Sequence, residues 1–293
     1  MRATNLLPIL AFLSQVPRPL HSNDFVEVCS GCGKFSEAMR DSGFVGKEFD
    51  ICHSGNHDLL RSVGFLAILA AVRNTKRGGV LMLAPPCSTW VFLSRSYTGR
   101  SWACPEGRKI KAVILANILI HRLLYIIFYA TKRGVYWLVE QPISSVLWVY
   151  EPVRRILNWA RARRISFPMG AYGARTLKMS VLWGTLPNLT SLRRPLSFKL
   201  LKEACDRRDN ALVKKTICKR TGRVTVAGRC DRLRESAAYP IAFGYAVAAL
   251  VGERQLPTDE DLKVEVADPD DSDDGALDDL LLGRAHAKWR ELR

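Results

Sequence analysis

Phe25-Val26-Glu27-Val28 runs straight into Cys29-Ser30-Gly31-Cys32-Gly33-Lys34-Phe35, and helix-like spacing takes over from Ser36 to Ser42. An apolar run, a turn with glycine at alternate positions and a helix read as strand, tight turn and crossover. Phe44 to Phe49 supplies a second strand, so the unit opens a doubly wound sheet whose crossovers are right-handed. Leu59 to Arg73 then reads as a helix, Val80 to Leu83 as a strand and Ile110 to Ala130 as a long helix. The wholly apolar Val135-Tyr136-Trp137-Leu138-Val139 belongs in the middle of a parallel sheet, where both faces are covered. A basic helix from Val153 to Arg164, an edge strand near Met179 to Trp183 and a returning helix over Ala237 to Val251 complete the pattern. The expected fold class is therefore α/β, a Rossmann-like, doubly wound, mostly parallel sheet.

Two strands end in loops that carry reactive groups: Ala84-Pro85-Pro86-Cys87-Ser88 after the third, and Glu140-Gln141-Pro142 after the fourth. Open α/β sheets bind ligands at the carboxyl ends of their strands, so these two loops and the glycine turn are expected to share one site.

The 293 residues, 48% hydrophobic and 25% charged, suffice for one core of a soluble globular protein. The formal charge of +16 hides a split. Asp259 to Asp279 holds eleven acids against Lys263, a local net of −10, and the last fourteen residues add +3, which leaves +23 on residues 1–258. So basic a body calls for a polyanionic partner, nucleic acid first and an anionic membrane surface second. The eight cysteines show no paired framework, and Cys29 with Cys32 lacks the second pair a zinc site needs, so free thiols in a reducing compartment are expected. Cys52, His53 and His57 lack a fourth ligand and read as a surface loop. The Leu6 to Leu13 run is interrupted by Pro8 and followed by no small-x-small cleavage site, so it reads as an extension and not a secretory signal. Lys111, Asn117, His121 and Arg122 make the long helix costly in hydrocarbon, so it is expected to cover the sheet and not to span a membrane.

In order and over most of residues 24–250, these motifs resemble the cytosine-5 DNA methyltransferase family of S-adenosylmethionine-dependent enzymes. The resemblance implies a sheet of the class I methyltransferase type and a cofactor site opened by an acid and an aromatic-x-Gly-x-Gly turn. The matching positions are Glu27, Cys29 in place of the aromatic, Gly31 and Gly33, where the absence of a Cβ lets the backbone approach the ligand. Lys47-Glu48-Phe49-Asp50 is similar to the family's acid-aromatic-acid motif, with Glu48 on the ribose and Phe49 on the adenine. Asp58 matches the acid that meets the adenine amino group. The resemblance also implies that Pro86 lines the same pocket. Tyr239 to Val247 resembles the closing helix, with Tyr245 in place of an asparagine.

Cys87 matches the nucleophile that attacks C6 of a flipped-out cytosine, and Glu140 the acid that relieves charge at N3. Ser88 stands where glutamine is usual, and Gln141-Pro142 replaces Asn-Val. Arg175 and Lys178 are the nearest equivalents of a Gln-x-Arg-x-Arg motif on the target base. Only about fifty residues separate Gly184 from Ser236, few for reading sequence in a groove. Lys214, Lys215, Lys219, Arg220, Arg223 and Arg229 there could neutralise phosphates. Trp90, Phe92, Arg95, Tyr97 and Arg100 follow the nucleophile in a loop that either closes over DNA or, for Trp90, packs into the core.

The implied organisation is an N-terminal extension (1–22), a methyltransferase-like catalytic domain (23–187), a basic insertion (188–235), a returning helix (236–256) and a disordered acidic tail (257–293). The expected location is nucleus or cytoplasm, with DNA favoured over RNA as partner. Two alternatives accompany the leading one. The chain could be a methyltransferase-like nucleic-acid-binding protein without catalysis, or an amino-group N-methyltransferase. The second normally carries an aromatic after the prolines, where this chain has Cys87.

Overall fold

The computed structural model describes residues 21–174, 176, 178–195, 213–217, 219–222, 224–228, 233 and 236–253. The described part begins with β1 (Asn23–Val28), α1 (Lys34–Asp41), β2 (Gly46–Phe49), α2 (Ser62–Arg73) and β3 (Thr75–Leu83). It continues with α3 (Lys111–Lys132), β4 (Tyr136–Pro142), α4 (Glu151–Trp159), β5 (Arg163–Pro168) and β6 (Met179–Gly184). A hairpin of β7 (Val213–Ile217) and β8 (Val224–Gly228) and a final α5 (Ile241–Gly252) complete it. Six strands form one sheet in the order β2-β1-β3-β4-β6-β5, parallel from β2 to β4, with β6 antiparallel to both its neighbours. This is a mixed α/β fold with a mostly parallel sheet covered by helices, compatible with a Rossmann-like architecture.

Strand side chains alternate between the two faces, and each face has its own helices. Val26, Val28, Leu81, Leu83, Trp137 and Val139 join the core beneath α2, α3 and α4. Phe25, Val80, Met82 and Leu138 point the other way, into the core beneath α1 and α5. Because both faces are buried, the central strands lack the polar alternation of a half-exposed sheet. Among the described residues α3 is the one helix long and apolar enough to cross a membrane. Its Val113, Ile120, Leu123, Leu124 and Ile127 are buried, and Arg122 donates to the Leu59 carbonyl at 2.7 Å.

Three expectations need correction. The basic helix stops at Trp159, and Arg163–Pro168 is a strand. Arg161 turns into the left-handed region at φ 51°, Arg161 N donates to Asn158 O and Ala162 N to Leu157 O, which is a Schellman termination. Arginine at that position gave no glycine signal to read. Consequently β6 is not an edge strand: it lies between β4 and β5, with Ser180, Val181 and Leu182 fully buried. The basic insertion, to which no strand was assigned from the sequence, contains the β7–β8 hairpin. Lys219 and Arg220 stand exposed at its turn, Lys214 and Lys215 lie on β7, and Arg223 and Arg229 fall outside the described residues. The N-terminal extension to residue 20 and the acidic tail from residue 254 also fall outside them.

Candidate active site

Val28, Leu83 and Val139 are register partners on β1, β3 and β4; β1 and β3 end there, while β4 runs on through Glu140, Gln141 and Pro142 paired with β6, so these last three are strand residues and not the loop expected from the sequence. Their continuations form one surface: the Cys29–Gly33 turn, the Pro85-Pro86-Cys87 loop and Glu140.

In the turn, Cys29, Gly31 and Gly33 all take positive φ, at 59°, 56° and 67°. Gly31 N donates to Asp50 Oδ2 at 2.8 Å, and His53 Nε2 lies 3.1 Å from Gly31 O, so the turn is bound to the loop after β2. A Cβ on Gly33 would sit 2.6 Å from Glu48 Oε2, whereas one on Gly31 would meet nothing within 4 Å. Gly33 therefore permits a close approach, and Gly31 faces open space. Burial pushes the Cys29 thiol up to about 12, with the nearby Asp50 and Glu27 carboxylates adding to it.

Glu27 is fully buried, and its Oε2 accepts from Ser36 N at 3.0 Å and Ser36 Oγ at 2.6 Å. Its Oε1 has no partner. Burial outweighs the two Ser36 hydrogen bonds and lifts its pKa to about 7. Glu48 is its register partner on β2; Oε1 lies 3.5 Å from Arg40, while Oε2 is buried without a partner. Phe49 is buried and meets His57 edge-on, with centroids 5.0 Å apart. Both line a cleft of about 560 Å³ beside β2, together with Arg40, Glu48, Ala67 and Ala70. Asp58 Oδ1 accepts from Leu60 N at 2.8 Å and so shapes the turn ahead of α2.

The second half of the site is held by Gln141. Its Nε2 donates to Pro85 O, and its Oε1 accepts from Ser145 Oγ at 3.0 Å. Gln141 thus ties the proline loop to β4. Cys87 O accepts from Trp90 N and Val91 N at 2.8 and 3.2 Å. Burial pushes the Cys87 thiol up; the Lys178 ammonium pulls it down and Glu140 pushes it up again. Glu140 is 5% exposed, with Lys178 Nζ 3.5 Å from Oε1 and the Tyr239 hydroxyl donating to Oε2 at 3.3 Å. Burial and the neighbouring carboxylates hold Tyr239 well above the usual phenol range, so it remains a donor.

Cys87, Glu140 and Lys178 therefore converge. The Tyr239 hydroxyl, bonded to Glu140, is also within electrostatic reach of Glu27 and Cys29. Tyr239 is the residue that sequence reasoning missed; its one signal was a phenol ahead of an apolar helix, where a buried hydroxyl needs a partner. Tyr245 is not brought in: it is exposed on α5, and its hydroxyl donates to Asp41 Oδ2 at 2.8 Å, at the opposite end of α1 from the glycine turn. Pro86 is exposed on the loop beside Cys87, and Arg175 lies outside the described residues. Trp90 and Arg100 are both buried, so they belong to the scaffold and not to a closing flap. Among the described residues no cluster of His, Cys, Asp and Glu could hold a metal, and Cys29, Cys32, Cys52, Cys87 and Cys104 are free thiols.

Two buried carboxylate oxygens, on Glu27 and Glu48, lack partners beside an open glycine turn, and can accept from an ammonium group and from vicinal hydroxyls. No protein-family model and no curated protein matches this chain.

Proposed function

We propose that this chain is an S-adenosylmethionine-dependent methyltransferase acting at C5 of cytosine in nucleic acid, with DNA favoured, and that its sheet is of the class I methyltransferase type. The observation that carries the reading is the gathering of Cys87, Glu140 and Lys178 at the carboxyl ends of β3, β4 and the start of β6, beside the partnerless oxygens of Glu27 and Glu48. A thiol within electrostatic reach of a paired carboxyl and ammonium suits covalent activation of an electron-poor ring.

Bound at the glycine turn, S-adenosylmethionine supplies an electrophilic methyl group on a sulfonium. Glu27 and Glu48 would hold its amino and ribose groups, and Phe49 its adenine. Cys87, as thiolate, forms the bond to C6 of a cytosine turned out of its stack. Glu140 gives its proton to N3, so the electron pair displaced by sulfur is held without a naked charge and C5 becomes nucleophilic. Lys178 offsets the charge of the thiolate before attack and of the Glu140 carboxylate after it. Once C5 carries methyl, loss of its proton to water returns the electron pair, breaks the C6–sulfur bond and frees the thiolate, while N3 returns its proton to Glu140.

Trapping tests this. Incubation with S-adenosylmethionine and an oligonucleotide containing 5-fluorocytosine blocks the last proton loss, so the protein should accumulate as an adduct stable to denaturing gel electrophoresis. Cys87→Ala should give none, and Glu140→Gln should slow adduct formation by about 100-fold or more. The burial that pushes the Cys87 thiol up favours one other reading, a nucleic-acid-binding protein of the same fold without catalysis. Calorimetric binding of S-adenosylmethionine with no adduct would select it.

A further inference from the structure

The segment after Cys87 is built as a rigid arm. Arg100 is 2% exposed, and its guanidinium lies 3.3 Å from the Trp90 ring centroid. It also donates to Pro105 O and, at 2.8 Å, to Asn117 Oδ1 on α3. Arg108 N closes onto Thr98 O at 2.7 Å. A Cβ on Gly107 would come within 2.8 Å of Thr98 O, so the two sides of the arm meet with no space between them. Trp90 N donates to Cys87 O and Trp90 O accepts from Val146 N, which anchors the arm to the proposed nucleophile.

This scaffold turns large rings outward. Phe92, Tyr97 and Trp102 are 53%, 63% and 62% exposed, and the Arg95 guanidinium stacks 4.0 Å from the Phe92 centroid. Lys109 and Lys111 are exposed on the arm's return. Glu106 is the one acid between residues 59 and 139. The Phe92–Ser94 turn of the arm lies beside β8 of the basic hairpin. Exposed rings and cations on one segment suit bases that are not already stacked in a duplex, on a phosphate chain.

We propose that Phe92, Tyr97 and Trp102 form a stacking platform for unpaired bases, so that the chain takes single-stranded nucleic acid or an unpaired segment. This rests on the nucleic-acid part of the function proposed above. Paired bases in a duplex offer no free face to such rings, which sets the direction of the preference.

Fluorescence anisotropy of the full chain with a labelled single strand of twenty deoxynucleotides, and with the duplex of the same sequence, tests it. The single strand should bind at least ten-fold more tightly than the duplex at the same salt. Trp102→Ser should weaken single-strand binding about ten-fold, the range of one base–aromatic stack, and change duplex binding less than two-fold. Phe92→Ser with Tyr97→Ser should do the same, with far-UV dichroism and the thermal midpoint unchanged. Equal affinity for both forms, or single-strand binding untouched by these exposed substitutions, overturns the platform. A wild-type dimer in sedimentation velocity that Trp102→Ser dissolves without loss of single-strand affinity also overturns it, and assigns the rings to self-association. Single-strand preference in a protein that forms no fluorocytosine adduct would leave the platform standing and remove the methyl transfer.

Discussion

Glu27 connects the chemistry of the site to the stability of the chain. In the fold its carboxyl holds its proton to about pH 7, because burial dominates, whereas the unfolded chain releases it near the ordinary 4.5. The folded state therefore binds the extra proton between those values, and stability is full below the lower one and lost as pH rises through the window. The loss amounts to about 3 kcal/mol, from 1.36 kcal/mol for each pH unit between the two values. Glu27→Gln keeps an oxygen for Ser36 and cannot ionise, so its thermal midpoint should exceed the wild type's at pH 8 and approach it at pH 5. Midpoints that run parallel across that range would show that Glu27 is not protonated in the fold. The residue was named as a site acid through the resemblance; its altered acidity was not legible, because that comes from burial by residues distant in the chain, which outweighs the two Ser36 hydrogen bonds.

Elements position the site through two tight joins. α5 crosses α1 at Gly244, where a Cβ would lie 2.6 Å from Ala38 Cβ and 3.3 Å from Phe35 Cα. This crossing places Tyr239, just ahead of α5, against Glu140, and Ser36, inside α1, against Glu27. Gly244→Val should lower unfolding stability by about 2 kcal/mol, the ordinary cost of overpacking, seen as a lower urea midpoint at unchanged slope. A variant of wild-type stability would mean that the helices can part without loss. The other join is the exit of α4, where Arg161 makes the left-handed turn usually given to glycine. Helical periodicity carried the sequence reading past that point, since arginine is a good helix former, and β5 was lost with it. β1, β3 and β4 were readable because burial on both faces leaves an apolar run that no other element needs. β7 and β8 alternate weakly and were not.

At the scale of the molecule the charge is divided along the chain. Residues 254–293 carry a net −6 against a body that exceeds the overall +16. An acidic segment tethered to a basic surface competes with nucleic-acid phosphates for it, and salt screens that competition over a Debye length of about 10 Å at 0.1 M. Truncation after Glu253 should therefore tighten single-strand binding about three- to ten-fold at 50 mM salt, with the two proteins converging near 0.5 M. Equal affinity at low salt would remove the tail from the interaction. Glu27 and Lys178 were named only through the resemblance, whereas the α/β class, the order of strands and helices through β4, and the segments that carry Cys87 and Glu140 were present in local pattern, because strand burial is written in contiguous residues. The antiparallel insertion of β6, the bond from Gln141 to Pro85, the role of Tyr239 and the removal of Tyr245 from the site were not. Each depends on residues far apart in the chain being carried to one place, and that distance is set by packing across the sheet and has no trace in neighbouring letters.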